Sequence, residues 1–198
     1  MYFNDVARTW DDARRCERAQ TLSRAIRQAW GDAQNEVLDF GCGTGLLTFA
    51  LCPYATTIYG YDPSSEMQKI FRSKMDLYRT KNVRLITQEE MKEHTFDVIF
   101  SSMVFHHIAD IRTELLNLRR LLAPDGRLML IDLDKDDGAF HRNEPGFNGH
   151  NGFDRNEMQR DLEGCGFREV SISTMYEGVR QIGDDPVEYS LFMATARR

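Results

Sequence analysis

The stretch Val37-Leu38-Asp39-Phe40-Gly41-Cys42-Gly43-Thr44-Gly45-Leu46-Leu47 limits the possible fold more than any other part of this sequence. It reads as a buried strand, a turn with glycine at every second position, and the start of a helix. A strand that bends sharply into a helix needs backbone angles that glycine reaches at low cost. The missing side chains let a ligand approach the main chain, and the helix beyond offers unpaired amide donors.

Strands and helices alternate around this unit. Ala19, Leu22, Ile26 and Trp30 recur at spacings of three and four, which makes a helix within Asp5 to Trp30. Arg14, Arg15, Arg18, Arg24 and Arg27 mostly fall off that stripe and read as a solvated face. Tyr2, Phe3 and Trp10 are candidates either for a lid or for core packing. The spacing predicts strands at Glu36 to Phe40 and Thr56 to Tyr61, with a helix from Leu46 to Cys52 between them, ended by Pro53. Ser64 or Ser65 caps a helix with apolar positions Met67, Phe71, Met75 and Tyr78. Strands follow at Val83 to Thr87 and Phe96 to Ser101. Asp110 caps the helix of Ile111, Leu115, Leu118 and Leu122. A turn at Pro124-Asp125-Gly126 leads to a strand from Arg127 to Leu133. Asp154 with Glu157 reads as a capping box on a helix carrying Met158 and Leu162, closed by Gly164-Cys165-Gly166. Val170 to Met175 and Tyr189 to Ala196 are expected as final strands forming an antiparallel edge. The pattern predicts an α/β sheet with right-handed crossovers, and ligands in such sheets bind beyond the carboxyl ends of the strands.

The glycine spacing separates two ligand classes. Dinucleotide sites show Gly-x-Gly-x-x-Gly, whereas here Leu46 stands where that pattern places its third glycine. Asp39 precedes the turn. A carboxylate gains nothing from a pyrophosphate but would stabilise a ligand with an amino group and a sulfonium. Asp62, at the end of the second strand, stands where an acid can accept both ribose hydroxyls of a nucleoside.

Asp39-x-Gly41-x-Gly43-x-Gly45, Asp62, the strand Phe96-Asp97-Val98-Ile99-Phe100-Ser101 and the run Leu122-Ala123-Pro124-Asp125-Gly126-Arg127-Leu128 resemble class I S-adenosylmethionine-dependent methyltransferases, small-molecule branch. Gly152-Phe153-Asp154 with Gly166-Phe167 is similar to the same branch, and the resemblance covers about residues 36–175. It implies a doubly wound Rossmann-like sheet of seven strands, mostly parallel, the last antiparallel, with helices on both faces. The expected organisation is a single domain, with an N-terminal helical segment or lid at 1–33 and a core at 34–198. The resemblance implies S-adenosyl-L-methionine as cofactor, S-adenosyl-L-homocysteine as product and a small-molecule acceptor methylated on oxygen or nitrogen. Asp39, Gly41 and Gly43 would face the methionine moiety, and Gly45 would allow close packing. Asp62 would bind the ribose and Met67 would lie near the adenine, with Cys42 and Pro63 completing this wall. Where the family often has Gly-Asp-Ala, this chain has Thr87-Gln88-Glu89-Glu90, so the adenine contact is assigned to Glu89, then Gln88. Ser101 would sit near the methionine and the acceptor.

An oxygen or nitrogen acceptor needs a proton removed, and histidine is a base near neutral pH. His106 and His107 follow the fourth strand; His141 and His150 flank the polar connection after the fifth; His94 lies elsewhere. His106, His141 and His150 are the catalytic candidates, and the loop of His141 and His150 is expected to cover the acceptor pocket with the N-terminal segment. His106-His107 reads equally well as helix entry and packing. Asp132, Asp134, Asp136 and Asp137 stand close by, but no spacing such as His-x₃-His supports a metal, and none is assigned. No Asn-Pro-Pro-Tyr motif is present, and neither Cys42 nor Cys165 is placed as the nucleophile of a cytosine carbon methyltransferase.

Net charge is −6, which makes nucleic acid an unexpected partner. No apolar run approaches the ~20 residues of a membrane helix. The four cysteines have no metal or redox spacing, and the first residues lack signal-peptide character, so a cytoplasmic protein is expected. Oligomeric state is left open. The competing readings are a catalytically silent cofactor-binding or regulatory relative, and a nicotinamide-dependent reductase, which Leu46 and Asp39 argue against.

Overall fold

The computed structural model describes residues 2–31, 35–144 and 146–198 and, of Tyr2, the backbone alone. The expected division at 33/34, the Tyr2 ring and Pro145 lie outside the described residues. Seven strands form one sheet: β1 (Glu36–Phe40), β2 (Thr57–Tyr61), β3 (Val83–Leu85), β4 (Phe96–Ser102), β5 (Leu122–Leu133), β6 (Arg168–Ile182) and β7 (Asp185–Arg197), in the order β3-β2-β1-β4-β5-β7-β6. The first five pair in parallel, and β7 is antiparallel to both β5 and β6. The strand order reverses between β1 and β4, which places a ligand crevice at their carboxyl ends.

Among the described residues the α-helices are α1 (Tyr2–Val6), α2 (Ala13–Trp30), α3 (Leu46–Leu51), α4 (Ser65–Tyr78), α5 (Gln88–Lys92), α6 (Ile111–Leu121) and α7 (Arg155–Gly164). Side chains alternate across the strands, so each strand feeds two cores. Leu38, Phe40, Ile99, Leu128 and Leu130 pack with Leu115 and Leu118 of α6 and Met158 and Leu162 of α7. Val37, Val98, Phe100, Met129 and Ile131 pack on the other face with Leu22 and Ile26 of α2, Leu47 and Leu51 of α3 and Phe71 of α4. Leu22 and Ile26 are almost wholly buried, which stabilises α2 against the sheet by roughly 1.5–3 kcal/mol each.

Local signals act at the predicted places with some differences. Ser64 caps α4, its hydroxyl accepting from the Met67 amide, and Asp110 caps α6. Tyr78 of the expected α4 stripe is exposed, because the last turn runs past the core and keeps only an edge contact with Phe49. The expected third strand stops at Leu85, because Thr87 and Glu90 form a reciprocal capping box that opens α5. At α7 Asp154 accepts from the Asn156 and Glu157 amides; the reciprocal Glu157 bond is not seen among the described residues. Pro124-Asp125-Gly126 sits inside β5, at the irregularity where pairing passes from Leu122 to Arg127. The last two strands run well beyond their expected ends into a long hairpin. Its far part meets the loop after β5, where Arg180 donates to the Phe140 carbonyl and pairs with Glu144 at 2.9 Å.

Candidate functional site

The glycine turn leaves β1 with positive φ at Gly41, Gly43 and Gly45 (80°, 54° and 87°). The Gly41 and Cys42 amides both donate to the Tyr61 carbonyl, at 2.8 and 2.9 Å, which seats the turn on the end of β2. A Cβ on Gly41 would fall 2.2 Å from a Val104 methyl, so the loop after β4 closes directly on the turn. Asp62 accepts from the Gly43 amide and from the Ser64 amide, each at 2.8 Å. One carboxylate thus fixes the turn and the entry to α4 relative to each other.

A cavity of about 340 Å³ opens over this unit. Asp39, Gly41, Cys42, Gly43, Asp62, Pro63 and Met67 all line it, as do Ser102, Met103, Val104 and His107 from the end of β4 and the loop after it. Phe3 and Trp10 close it from the N-terminal side. That segment is tied down by Ser64 donating to Asn4 at 2.7 Å, by Thr44 donating to Asp11 at 2.5 Å and by the Lys74–Asp11 ion pair.

Four predicted cofactor residues stand off the cavity wall. Gly45 lies behind the turn against Phe49 and Phe71. Gln88 and Glu89 are exposed on α5. Ser101 is buried and donates to the Phe40 carbonyl at 2.9 Å, tying β4 to β1, while its neighbour Ser102 lines the cavity. Strand alternation is the reason: a one-residue step moves a side chain to the other side.

The acids at this site are electrostatically perturbed. Asp39 is buried, accepts a 2.5 Å bond from the Thr48 hydroxyl, and has its pKa pushed up to about 7. Burial is the main cause and the nearby Asp62 charge adds to it, while Thr48 opposes both. Burial also raises Asp62, partly offset by the Ser64 and Gly43 amides. Two close carboxylates held at raised pKa values are set to be relieved by a bound cation.

A second cavity of about 40 Å³ adjoins the first, sharing Phe3, Trp10, Met103 and His107, and brings in His106, His141, Phe140 and Arg14. His106 donates from Nδ1 to Asp132 at 2.5 Å, and both side chains are buried. His141 ends the short turn Ala139–His141 and stacks on Phe147 (3.8 Å between centroids, 5° between planes). His150 is not on either cavity. Its ring bonds the Ile108 carbonyl at 2.9 Å, and its amide donates to the His106 carbonyl at 2.7 Å. A Cβ at the adjacent Gly149 would fall 2.0 Å from that carbonyl, so glycine permits the loop to dock there. His94 lies apart, between the rings of Tyr59 and Phe96.

Sequence reasoning missed the arginines. Arg15 and Arg18 line the first cavity rather than facing solvent, and Arg14 lines the second with its Nη1 buried and unpartnered. Residues off the apolar stripe in the first turns of α2 therefore border the crevice. Their clustering beside Trp10 was the available signal.

The match to known proteins agrees with this geometry. A family described as a methyltransferase domain matches residues 12–172. An uncharacterized methyltransferase of Schizosaccharomyces pombe is 32% identical over 60% of this chain and 45% of its own length. The methyltransferase YcgJ of Bacillus subtilis, also uncharacterized, is 30% identical over 66% of this chain and 53% of its own. The chain spans about half the length of the curated relatives it matches. Among solved structures, YcgJ superposes with a TM-score of 0.71 at 18% identity, covering 90% of this chain and 98% of that one. A SAM-dependent methyltransferase from Aquifex aeolicus gives 0.71 at 23%, covering 98% and 97%. With an acid-flanked glycine turn at the switch point, a seven-stranded sheet ending antiparallel and a family match over most of its length, the chain belongs to the class I S-adenosylmethionine-dependent methyltransferase family.

Proposed function

We propose that this protein transfers a methyl group from S-adenosyl-L-methionine to an oxygen or nitrogen atom of a small-molecule acceptor, releasing S-adenosyl-L-homocysteine. One observation carries the reading: the cavity at the switch point is walled by Asp39, Gly41, Gly43 and Asp62 and runs on into a smaller cavity holding His106 and His141. The residues fit the cofactor. The raised pKa values of Asp39 and Asp62 suit a cationic ligand, and the side-chain-free glycines let its methionine end approach the backbone. When bound, S-adenosylmethionine supplies a methyl group on a good leaving group.

The protein's share is alignment and handling of the acceptor's proton. Phe3 and Trp10 exclude water over the junction of the cavities, with the segment ahead of α2 acting as a lid. Asp132 fixes the His106 ring with Nδ1 protonated, leaving Nε2 to meet an acceptor. His141 lines the same small cavity, and His150 is a positioning residue that acts through the His106 backbone. Cys42, Pro63 and Met67 complete the cofactor wall. The exposed Gln88 and Glu89 and the buried Ser101 stand outside it. The described residues include no helix long and apolar enough to cross a membrane, and the four cysteines are free, which fits the cytoplasm.

The test is methyl transfer from labelled S-adenosylmethionine across a metabolite panel. Turnover on any acceptor supports the reading. Cofactor binding with no turnover on the whole panel supports the silent regulatory relative instead. His106→Ala is expected to lose turnover while binding cofactor normally.

A further inference from the structure

Three imidazoles converge on the wall between the two cavities. The candidate donor nitrogens of His106, His107 and His141 all lie within 4.8 Å of one another. The rings are 4.1 Å apart for His106 and His107, 5.0 Å for His106 and His141, and 6.0 Å for His107 and His141. Two independent pieces of the chain supply them: the turn Phe105–His107 after β4 and the turn Ala139–His141 after β5.

Two of the rings, His106 and His141, are held in ways that packing alone does not explain. His106 donates a hydrogen bond from Nδ1 to the buried Asp132, which orients the ring and leaves Nε2 free, as in a carboxylate–histidine–metal arrangement. His141 is 4% exposed, and its Nδ1 is buried with no hydrogen-bond partner. A buried polar atom left unpaired in a native fold calls for a ligand or an ion. Neutral imidazole nitrogens are common ligands of transition-metal ions.

We propose that His106, His107 and His141 form a three-imidazole site for one divalent first-row transition-metal ion of the zinc class. Metal–nitrogen bonds of about 2.0–2.1 Å would draw the nitrogens closer than they now stand. His107 is the most exposed of the three rings. Imidazole donors select zinc, cobalt, nickel or copper over magnesium or calcium. The neighbouring acids are engaged elsewhere: Asp134 pairs with Arg155 at 2.6 Å, Asp136 accepts from the Gly138 and Phe140 amides, and Asp137 accepts from the Ala139 amide. Three nitrogen ligands leave a coordination position open, the mark of catalytic rather than structural sites. That position faces the cavity bearing the unpartnered Arg14 Nη1, which favours an anionic fourth ligand. The role of His106 as a base under the proposed function belongs to the metal-free protein, because Nε2 cannot hold the ion and a proton together; metal binding does not rest on that role.

The experiment is titration of the full chain, stripped with a chelator, with Co²⁺ followed by visible absorption and competed with Zn²⁺. One equivalent of Co²⁺ with the intense bands of a low-coordinate site is expected, displaced by Zn²⁺. His141→Ala and His107→Ala should abolish it, whereas His94→Ala, outside the cluster, should retain it. Thermal unfolding of each variant, unchanged from the wild type, shows that the fold survives; His107→Ala, at an exposed ring, is the safest in that respect. No stoichiometric Co²⁺ or Zn²⁺ binding by the wild type would overturn the site, as would binding that persists in both variants. Metal binding without S-adenosylhomocysteine binding would instead remove the cofactor reading and leave the metal site standing.

Discussion

His106 and Asp132 meet at 2.5 Å between Nδ1 and a carboxylate oxygen, both out of solvent, and Asp132 also accepts from the amides of His106 and Leu133. The acid sits near the end of β5 and the histidine in the loop after β4, so the pair links two adjacent strand ends at the crevice. Asp132→Asn keeps the shape and removes the charge that fixes the ring. It should lower kcat by roughly 10²–10⁴ with S-adenosylhomocysteine affinity unchanged. Steady-state kinetics beside calorimetry separate the two quantities.

Asp62→Ala attacks the cofactor side. It removes the proposed ribose acceptor and strands the Gly43 and Ser64 amides. Leaving buried donors unpaired costs roughly 1–3 kcal/mol, so denaturant unfolding should show that loss. Cofactor affinity should fall more steeply than stability, because the glycine turn loses its anchor as well as its ligand contact.

Asp39 predicts a pH dependence of definite sign. Its folded pKa of about 7 lies above the value near 4 of an unfolded aspartate. The folded chain then holds the extra proton between those values. Stability from this group is therefore greatest below about pH 4, falls as pH rises, and levels off above about 7. Urea unfolding of wild type against Asp39→Asn isolates the slope, on the order of a few kcal/mol across the window. Binding of a cationic ligand runs the other way: cofactor affinity should rise by up to about tenfold per pH unit toward pH 7 and then flatten.

The cover supplies a fourth prediction. Phe3 and Trp10 meet edge to face at 5.7 Å, Phe3 meets His107 at 4.9 Å, and Arg15 stacks over Trp10 at 4.1 Å. Trp10→Ala opens this roof without disturbing either sheet core. The cofactor Kd should rise about tenfold, near 1.4 kcal/mol, with a small change in Tm. A stopped-flow measurement should assign most of it to faster release.

The parts of this molecule governed by short-range rules were legible. Glu36–Phe40 and the glycine turn follow from backbone sterics, the α2 stripe follows from its period, and Ser64 and Asp110 follow from capping chemistry. The parts set by tertiary placement were not. Which of Ser101 and Ser102 faces the cavity depends on where β4 ends its alternation. Arg14, Arg15 and Arg18 look like a solvated face until the fold places them on the cavity walls. The pairing of His106 with His141 joins the ends of two strands, and no local spacing announces it. Asp132 was legible as one acid among four, and only the fold singles it out as the partner of His106.

The most direct measurement of the central claim is calorimetric titration of the full chain with S-adenosylhomocysteine, with NADH as comparison and Asp62→Ala as control. One equivalent bound by the wild type, markedly weakened in Asp62→Ala, with no heat from NADH, is the predicted result. Saturable binding of NADH with none of S-adenosylhomocysteine would contradict the account.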